Sequence, residues 1–311
     1  MLVDAQGVFY KSNMDYLFFK AEADEKKYLY ETELVKSHNY HDEDNPDEDV
    51  EVGDFGDVDN DGDVDILGAA RSADDITWWE NSGTGGFTEH TIDGNFDHAI
   101  SVYAIDMDND CVYLTEDQPN GGFYRFVATT GLPNLSVGRL EIAAVTEKNG
   151  LQEVNWLRVP DPLARYAPTR NQVLGYTPFR GGEGIVFHEG LIYFATKRDN
   201  RVWSYDTGSK EIEIIYDART SDNPILTGVD NVDITAGGDV LVAEDGGDMQ
   251  LVAITPEGEL FPLFKIIGHD RSEVCGQAFD PSYQRLYFSS QRGMTGSRLT
   301  GGITYEVMYT G

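Results

Sequence analysis

The sequence predicts an all-β chain: a six-bladed β-propeller, with five blades as the alternative. Three observations predict it. A short strand recurs at blade-like spacing, glycine is abundant at 33 residues, and 40% of the chain is hydrophobic. Five strong copies of the strand are Ile66-Leu-Gly-Ala-Ala-Arg71, Val112-Tyr-Leu-Thr-Glu-Asp117, Ile192-Tyr-Phe-Ala-Thr-Lys197, Val240-Leu-Val-Ala-Glu-Asp245 and Leu286-Tyr-Phe-Ser-Ser-Gln291. Their first residues lie 46, 80, 48 and 46 positions apart. Short strands repeating every ~40–50 residues are the mark of propeller blades, each of which buries its faces only against its neighbours. One domain over 1–311 is therefore expected. Many tight turns require glycine.

Residues 1–45 carry short strand-like runs, Val8-Phe-Tyr10, Tyr16-Leu-Phe-Phe19 and Tyr28-Leu-Tyr30, read as a first blade. The last blade, 272–308, lacks a clear fourth strand. Val3–Phe9 is expected to supply it and close the ring, which removes exposed edges. Between them, 111–158, 183–216 and 229–264 read as blades with period-two outer strands such as Val202-Trp-Ser-Tyr-Asp206. Residues 159–180 are a proline-rich insertion, expected to cover one face as a lid or rim or to be a plain surface excursion.

The formal charge is −32, from 55 acidic and 23 basic residues. Binding to nucleic-acid phosphates needs clustered Lys and Arg, so that partner is excluded. No run of 18 apolar residues exists, so no membrane span is expected, and no charged-then-apolar leader opens the sequence. Two cysteines, Cys111 and Cys275, make no disulfide framework. No Gly-x-Ser-x-Gly elbow is present, which argues against a serine hydrolase. His188 and His269 sit in or near turns and are expected to be surface or hydrogen-bonding groups.

Acids recur in two patterns. The first is Gly53-Asp-Phe-Gly-Asp-Val-Asp-Asn-Asp-Gly-Asp-Val-Asp65, with Asp57, Asp59, Asp61, Asp63 and Asp65 at alternate positions and Gly62 at the bend. Carboxylates spaced this way wrap a hard cation, and without one they repel. Position 12 is Gly68 rather than Glu, so the loop is not an EF-hand. This stretch, with Asp106-Met-Asp-Asn-Asp110 and Trp78-Trp-Glu-Asn-Ser-Gly-Thr-Gly-Gly-Phe87, resembles the FG-GAP/VCBS repeat over about residues 50–110. The resemblance implies a structural calcium loop in a blade.

The second pattern sits at strand ends. Glu183, Asp230 with Asn231, and Glu273 recur at the starts of first strands. Glu116-Asp117 and Glu244-Asp245 recur at the ends of second strands. Antiparallel meanders bring those two kinds of end to one face. About six carboxylates around one mouth would repel unless they held cations or protons. Oxygen-only ligands favour calcium or magnesium over zinc. The alternative is that each Glu-Asp pair is a turn acid bonded to nearby N–H groups. The copies ending in Ala-Arg, Thr-Lys and Ser-Gln are expected only to hold the ring together.

Val112-Tyr-Leu-Thr-Glu-Asp117, Phe123-Tyr-Arg-Phe126, Arg180-Gly-Gly-Glu183, Val229-Asp-Asn231, Val242-Ala-Glu-Asp-Gly-Gly247, Gly268-His-Asp-Arg-Ser-Glu273, Tyr287-Phe-Ser-Ser-Gln-Arg-Gly293 and Gly302-Ile-Thr-Tyr-Glu-Val307 together look like the PhoX-type alkaline phosphatase family, over about 111–311. The resemblance implies a calcium- and iron-dependent phosphomonoesterase on a propeller, usually exported, hence an extracellular or periplasmic protein. It maps metal carboxylates onto Glu116, Glu183, Glu244, Asp245 and Glu273, and a phosphate-binding arginine onto Arg180. The family's cysteine-containing, iron-ligating N-terminal loop has no counterpart, and Cys111 does not match it. Several calcium ions are thus expected, with iron lacking its cysteine.

The expected function is a calcium-dependent phosphoric ester hydrolase acting on a small-molecule phosphoester, with Arg180, Glu183 and Glu273 catalytic. Two alternatives remain open. A calcium propeller lactonase or phosphotriesterase would use Asp230, Asn231 and Glu183. A calcium-binding interaction propeller would have no activity.

Overall fold

The computed structural model describes residues 111–129, 137–279, 283, 285–297 and 302–309, and the backbone of the strands between residues 2 and 104. Among these residues the chain is all-β apart from one 3-10 turn at Thr169–Asn171. No helix among them is long and apolar enough to cross a membrane.

The strands form five sheets among the described residues, and the strands from Val50 onward pair within each in chain order. The first sheet runs Val50–Gly56, Asp65–Ala70, Asp75–Asn81, Phe87–Asp93, all antiparallel. The second runs Ala99–Ala104, Cys111–Glu116, Phe123–Ala128, Gly138–Lys148, Leu151–Arg158. The third holds Gly182–His188, Leu191–Thr196, Arg201–Asp206 and Ile212–Asp217. In the fourth come Val229–Ile234, Val240–Glu244, Gln250–Ile254 and Leu260–Ile266. The fifth has Val274–Phe279, Arg285–Ser290 and Ile303–Tyr309.

The recurring strand is the second strand of every sheet, as its spacing predicts. The fourth strand of the last sheet differs from expectation. Phe19–Ala21 pairs with Ile303–Tyr309 and supplies it. Leu2–Val3 instead adds to Leu260–Ile266 in parallel, and Phe9–Tyr10 pairs with Leu2–Val3. An open strand edge accepts whichever extended segment the chain can bring to it, so sequence proximity to the terminus does not select the partner. The four strands between Val50 and Asp93 form a sheet of their own, and the strands from Cys111 to Arg158 complete the next sheet, whose first strand is Ala99–Ala104.

The chain divides into two compact units. One comprises Val35–Ile192 and Ser204–Glu213. Its core is aromatic: Tyr113, Phe123, Trp156 and Tyr205 pack ring against ring at centroid distances of 5.4–6.1 Å, and Phe179 joins through Phe123. Such contacts suit strands whose alternate residues face one side. The 159–180 insertion belongs to this unit and is pinned to it. Tyr176 Oη donates to Asn120 O at 2.7 Å, and Thr177 N to Ala143 O and Phe179 N to Gly121 O follow at 2.9 and 2.8 Å.

The other unit comprises Met1–Leu34, Tyr193–Trp203 and Ile214–Gly311. Leu241, Met249, Leu251, Phe264, Ile266, Val274, Leu286, Phe288, Tyr305 and Val307 form its apolar cluster, with Phe264 stacked on Phe288 at 4.3 Å. These residues come from the fourth and fifth sheets, so burial locks the two together. That docking positions the strand ends that carry Asp245 and Glu273.

Asp57, Asp59, Asp61 and Asp63 of the predicted calcium loop lie outside the described residues. Of Asp65 only the backbone is described, at the head of strand Asp65–Ala70.

Candidate metal centre

Three carboxylates converge in the second unit. Asp230 is on the first strand of the fourth sheet, Asp245 just past its second strand, and Glu273 just before the first strand of the fifth. One oxygen of each lies within 4.8 Å of the others. Asp245 and Glu273 pair through a single antiparallel backbone bridge. Gly228 allows the approach on the other side. Asp245 N donates to Gly228 O at 2.8 Å, and a Cβ at Gly228 would lie 2.7 Å from the Asp245 carbonyl oxygen.

Two cations interleave with the acids. Lys197 Nζ donates to Asp230 Oδ2 at 2.9 Å and also to Asp245 Oδ2. Arg292 donates from Nη2 to Glu273 Oε2 at 2.5 Å and from Nη1 to Asp245 Oδ1 at 3.4 Å. The order is acid, base, acid, base, acid. Burial pushes Glu273 up to about 8, helped by the charges of Asp230 and Asp245 and opposed by Arg292. Burial also acts to raise Asp245, but the hydrogen bond and charge of Lys197 hold it below the usual carboxylate range.

A second layer fixes the first. Asn231 Nδ2 donates to Asp230 Oδ1 at 3.2 Å, and its Oδ1 accepts from Gly276 N at 2.9 Å. Ser272 Oγ accepts from Arg292 N at 2.8 Å and from Ser290 Oγ at 2.8 Å. Ser290 Oγ lies 2.7 Å from His269 Nδ1. His269, Ser272 and Ser290 are fully buried. His269 is thus a hydrogen-bonding group, as read from the sequence, but it lies inside rather than at the surface.

Glu244, in the same unit, has partners of its own. Glu244 is fully buried and accepts from Thr227 N at 2.8 Å, from Gln250 N at 3.2 Å and from Gln250 Nε2 at 3.3 Å. Adjacent strand residues point to opposite faces, so Asp245 reaches the trio while Glu244 turns into its own sheet. That is close to the turn-acid alternative.

In the first unit Glu116 behaves in the same way. It is buried and accepts from Gly122 N and Tyr124 Oη, both at 2.9 Å, and pairs with Arg170. Tyr124 Oη and Thr169 Oγ1 are 3.0 Å apart. Burial raises the Glu116 carboxyl against the opposing pull of Arg170. Glu183 is buried on strand Gly182–His188, its carbonyl oxygen bonded by Thr115 Oγ1. Arg180 is exposed.

The sequence reading missed Lys197, Arg292 and Arg170. For Lys197 a signal existed. It holds the same position in its copy of the recurring strand as Asp245 holds in the next. A base there reaches the same place as the acid, so the Thr-Lys ending is part of the site. Arg292 follows another copy by one residue, and Arg170 sits in the insertion, where no repeat guides the eye.

Residues 87–214 match the family "Alkaline phosphatase PhoX". Residues 57–112 match the FG-GAP-like repeat. The two matches overlap, so the PhoX match begins upstream of residue 111, where that resemblance was expected to start, and covers Glu116, Arg170, Arg180 and Glu183. No curated protein matches the chain. Among solved structures, PhoX of Pseudomonas fluorescens bound to vanadate, a transition-state analogue, superposes with a TM-score of 0.53 at 15% identity. The alignment takes in 68% of this chain and 53% of that one, so the chain spans about half the length of that protein. A nidogen–laminin complex scores 0.48 at 14% identity, covering 79% of this chain and 74% of that one. A gluconolactonase from Xanthomonas campestris scores 0.37 at 12%, covering 79% and 82%. The PhoX likeness is one of fold.

Proposed function

We propose that the protein is a calcium-dependent phosphoric ester hydrolase whose ion is held by Asp230, Asp245 and Glu273. The convergence of these three carboxylates within 4.8 Å carries the reading. The donor set is oxygen-only, with neither His nor Cys among the three, which fits calcium and not thiolate-bound iron. The PhoX match over 87–214 supports the phosphoester class. A bound calcium would neutralise phosphoryl oxygens and acidify a water.

In this reading Arg292, rather than Arg180, is the phosphate-binding arginine. Its backbone is anchored on Ser272, and its guanidinium is set between Asp245 and Glu273. A guanidinium has five N–H donors, so Arg292 retains some for the non-bridging oxygens of a phosphoester. Asn231, with one end on Asp230 and the other on Gly276 N, orients a ligand rather than acting as one. A small-molecule substrate and a calcium-rich extracellular or periplasmic setting belong to the same reading.

The test is an assay of the full chain on p-nitrophenyl phosphate, bis-p-nitrophenyl phosphate, paraoxon and a lactone, with EGTA and with calcium restored. Hydrolysis of p-nitrophenyl phosphate that EGTA removes and calcium restores is the expected result. Turnover of the lactone or paraoxon alone would favour the lactonase or phosphotriesterase alternative. No chelator-sensitive turnover on any substrate would overturn both enzyme readings and leave the interaction propeller.

A further inference from the structure

Lys197 stands where an acid stands in the neighbouring repeat. The copy Ile192–Lys197 ends in Thr-Lys, and the copy Val240–Asp245 ends in Glu-Asp. The equivalence brings the Lys197 ammonium onto Asp230 Oδ2 at 2.9 Å and onto Asp245 Oδ2. Two of the three carboxylates that would hold a divalent ion are therefore already bridged by a cation of the chain itself.

We propose that Lys197 is a built-in competitor of the divalent ion, bridging Asp230 and Asp245 when the site is ion-free and leaving that bridge when the ion is taken up. This rests on the calcium reading above and adds how loading of the site is controlled. An ammonium and a divalent ion on the same two carboxylates repel at close range, and the low dielectric of a half-buried site makes that repulsion strong. The carboxylates hold one or the other.

The two bases of the site differ in their freedom to move. Arg292 is tied through its backbone N to Ser272 and contacts two acids, with 17% of its side chain exposed. Lys197 lies just beyond the end of strand Leu191–Thr196, and 30% of its side chain is exposed. A compact ammonium on four methylenes swings out more readily than an anchored planar guanidinium. Displacement thus falls on Lys197, and Arg292 remains for the substrate.

The ion-free state gains from this arrangement. Three carboxylates alone would repel and splay the strand ends apart. With Lys197 in place the ends stay together, at the cost of weaker binding of the ion.

The test measures binding and not turnover. Calcium titration calorimetry and terbium luminescence are run on the full chain and on Lys197→Met, with Lys197→Gln as a second neutral variant and Lys197→Arg as the conservative one. Thermal melts confirm that each folds. Lys197→Met and Lys197→Gln should bind calcium at least about 10-fold more tightly, since removing the competing charge leaves all three acids to the ion. Lys197→Arg should stay near the parent affinity. Equal or weaker calcium binding by both neutral variants, with the parent binding normally, overturns the competitor role and leaves the calcium site standing. Failure of the parent and both variants to bind calcium or terbium overturns the calcium reading, and this proposal with it.

Discussion

Asp245 and Glu273 belong to different sheets, yet their backbones meet in one antiparallel bridge, and Arg292 contacts both side chains. That bridge joins the end of one second strand to the start of the next first strand. It makes a site from two repeats, neither of which contains one. Two expectations concern this bridge and its supports, and two concern buried carboxylates elsewhere in the chain.

Asp245 lies at the centre of the alternating charges, so it is the residue whose loss is felt by every other. Asp245→Asn keeps the shape and removes the charge. The kcat/KM for p-nitrophenyl phosphate should fall by about 10²-fold or more, with the far-ultraviolet circular dichroism unchanged. A loss smaller than about 3-fold would place the chemistry elsewhere.

Ser272 acts through its neighbours. Its hydroxyl holds Arg292 N and receives Ser290 Oγ, which in turn lies against His269. Ser272→Ala leaves those buried groups unsatisfied and should lower stability by about 1–3 kcal/mol in urea unfolding. If it positions Arg292, KM should rise several-fold more than kcat falls, and Ser272→Thr should restore it. A variant with reduced stability and unchanged KM would give Ser272 a structural role alone.

Arg170 neutralises Glu116, which is 1% exposed. Removing one partner of a buried pair leaves an uncompensated charge, at about 3–5 kcal/mol. Arg170→Met should therefore destabilise the protein strongly at pH 7.5. Burial already raises the Glu116 carboxyl, and losing Arg170 raises it further. A raised acid costs stability when ionised, so the deficit should shrink as pH falls and Glu116 takes up its proton. Urea midpoints at pH 7.5 and pH 5 read this. An equal deficit at both would exclude the charge as its cause.

Asp233 gives a second pH dependence. Burial raises its carboxyl from 3.8 to about 6, against one hydrogen bond from Ile234 N. Because the folded value lies above the unfolded one, folding is opposed wherever the group is ionised. The penalty is absent below about pH 4, grows through the interval, and is complete above about pH 6. Asp233→Asn should gain about 1–3 kcal/mol at pH 7.5 and nothing at pH 4, read as a shift in Tm at each pH. A variant equally stable with its parent at pH 7.5 would contradict the raised value.

Much of the site was legible before the fold. Asp230, Asp245 and Glu273 are singled out by their place at strand starts and ends, because strand direction and period two are local properties. Glu244 and Glu116 are singled out by the same rule but are spent on backbone N–H groups, Gln250, Tyr124 or Arg170. The rule finds the end of a strand but not the side to which each residue turns. Val3–Phe9 illustrates the same limit for pairing, since Phe19–Ala21 takes the place expected for it.

The sequence by itself determined the recurring strands and the strand ends at which acids gather. Turn residues and alternation are short-range, so they survive without a partner. Only the tertiary structure decided that Lys197 meets Asp230 and Asp245, 33 and 48 positions away, and that Arg292 meets Asp245 from 47. Those meetings depend on how one sheet packs on the next. For Arg292 and Asp245 that packing is set by a buried core drawn from the fourth and fifth sheets, including Leu241, Phe264, Val274 and Phe288, and no single repeat contains it.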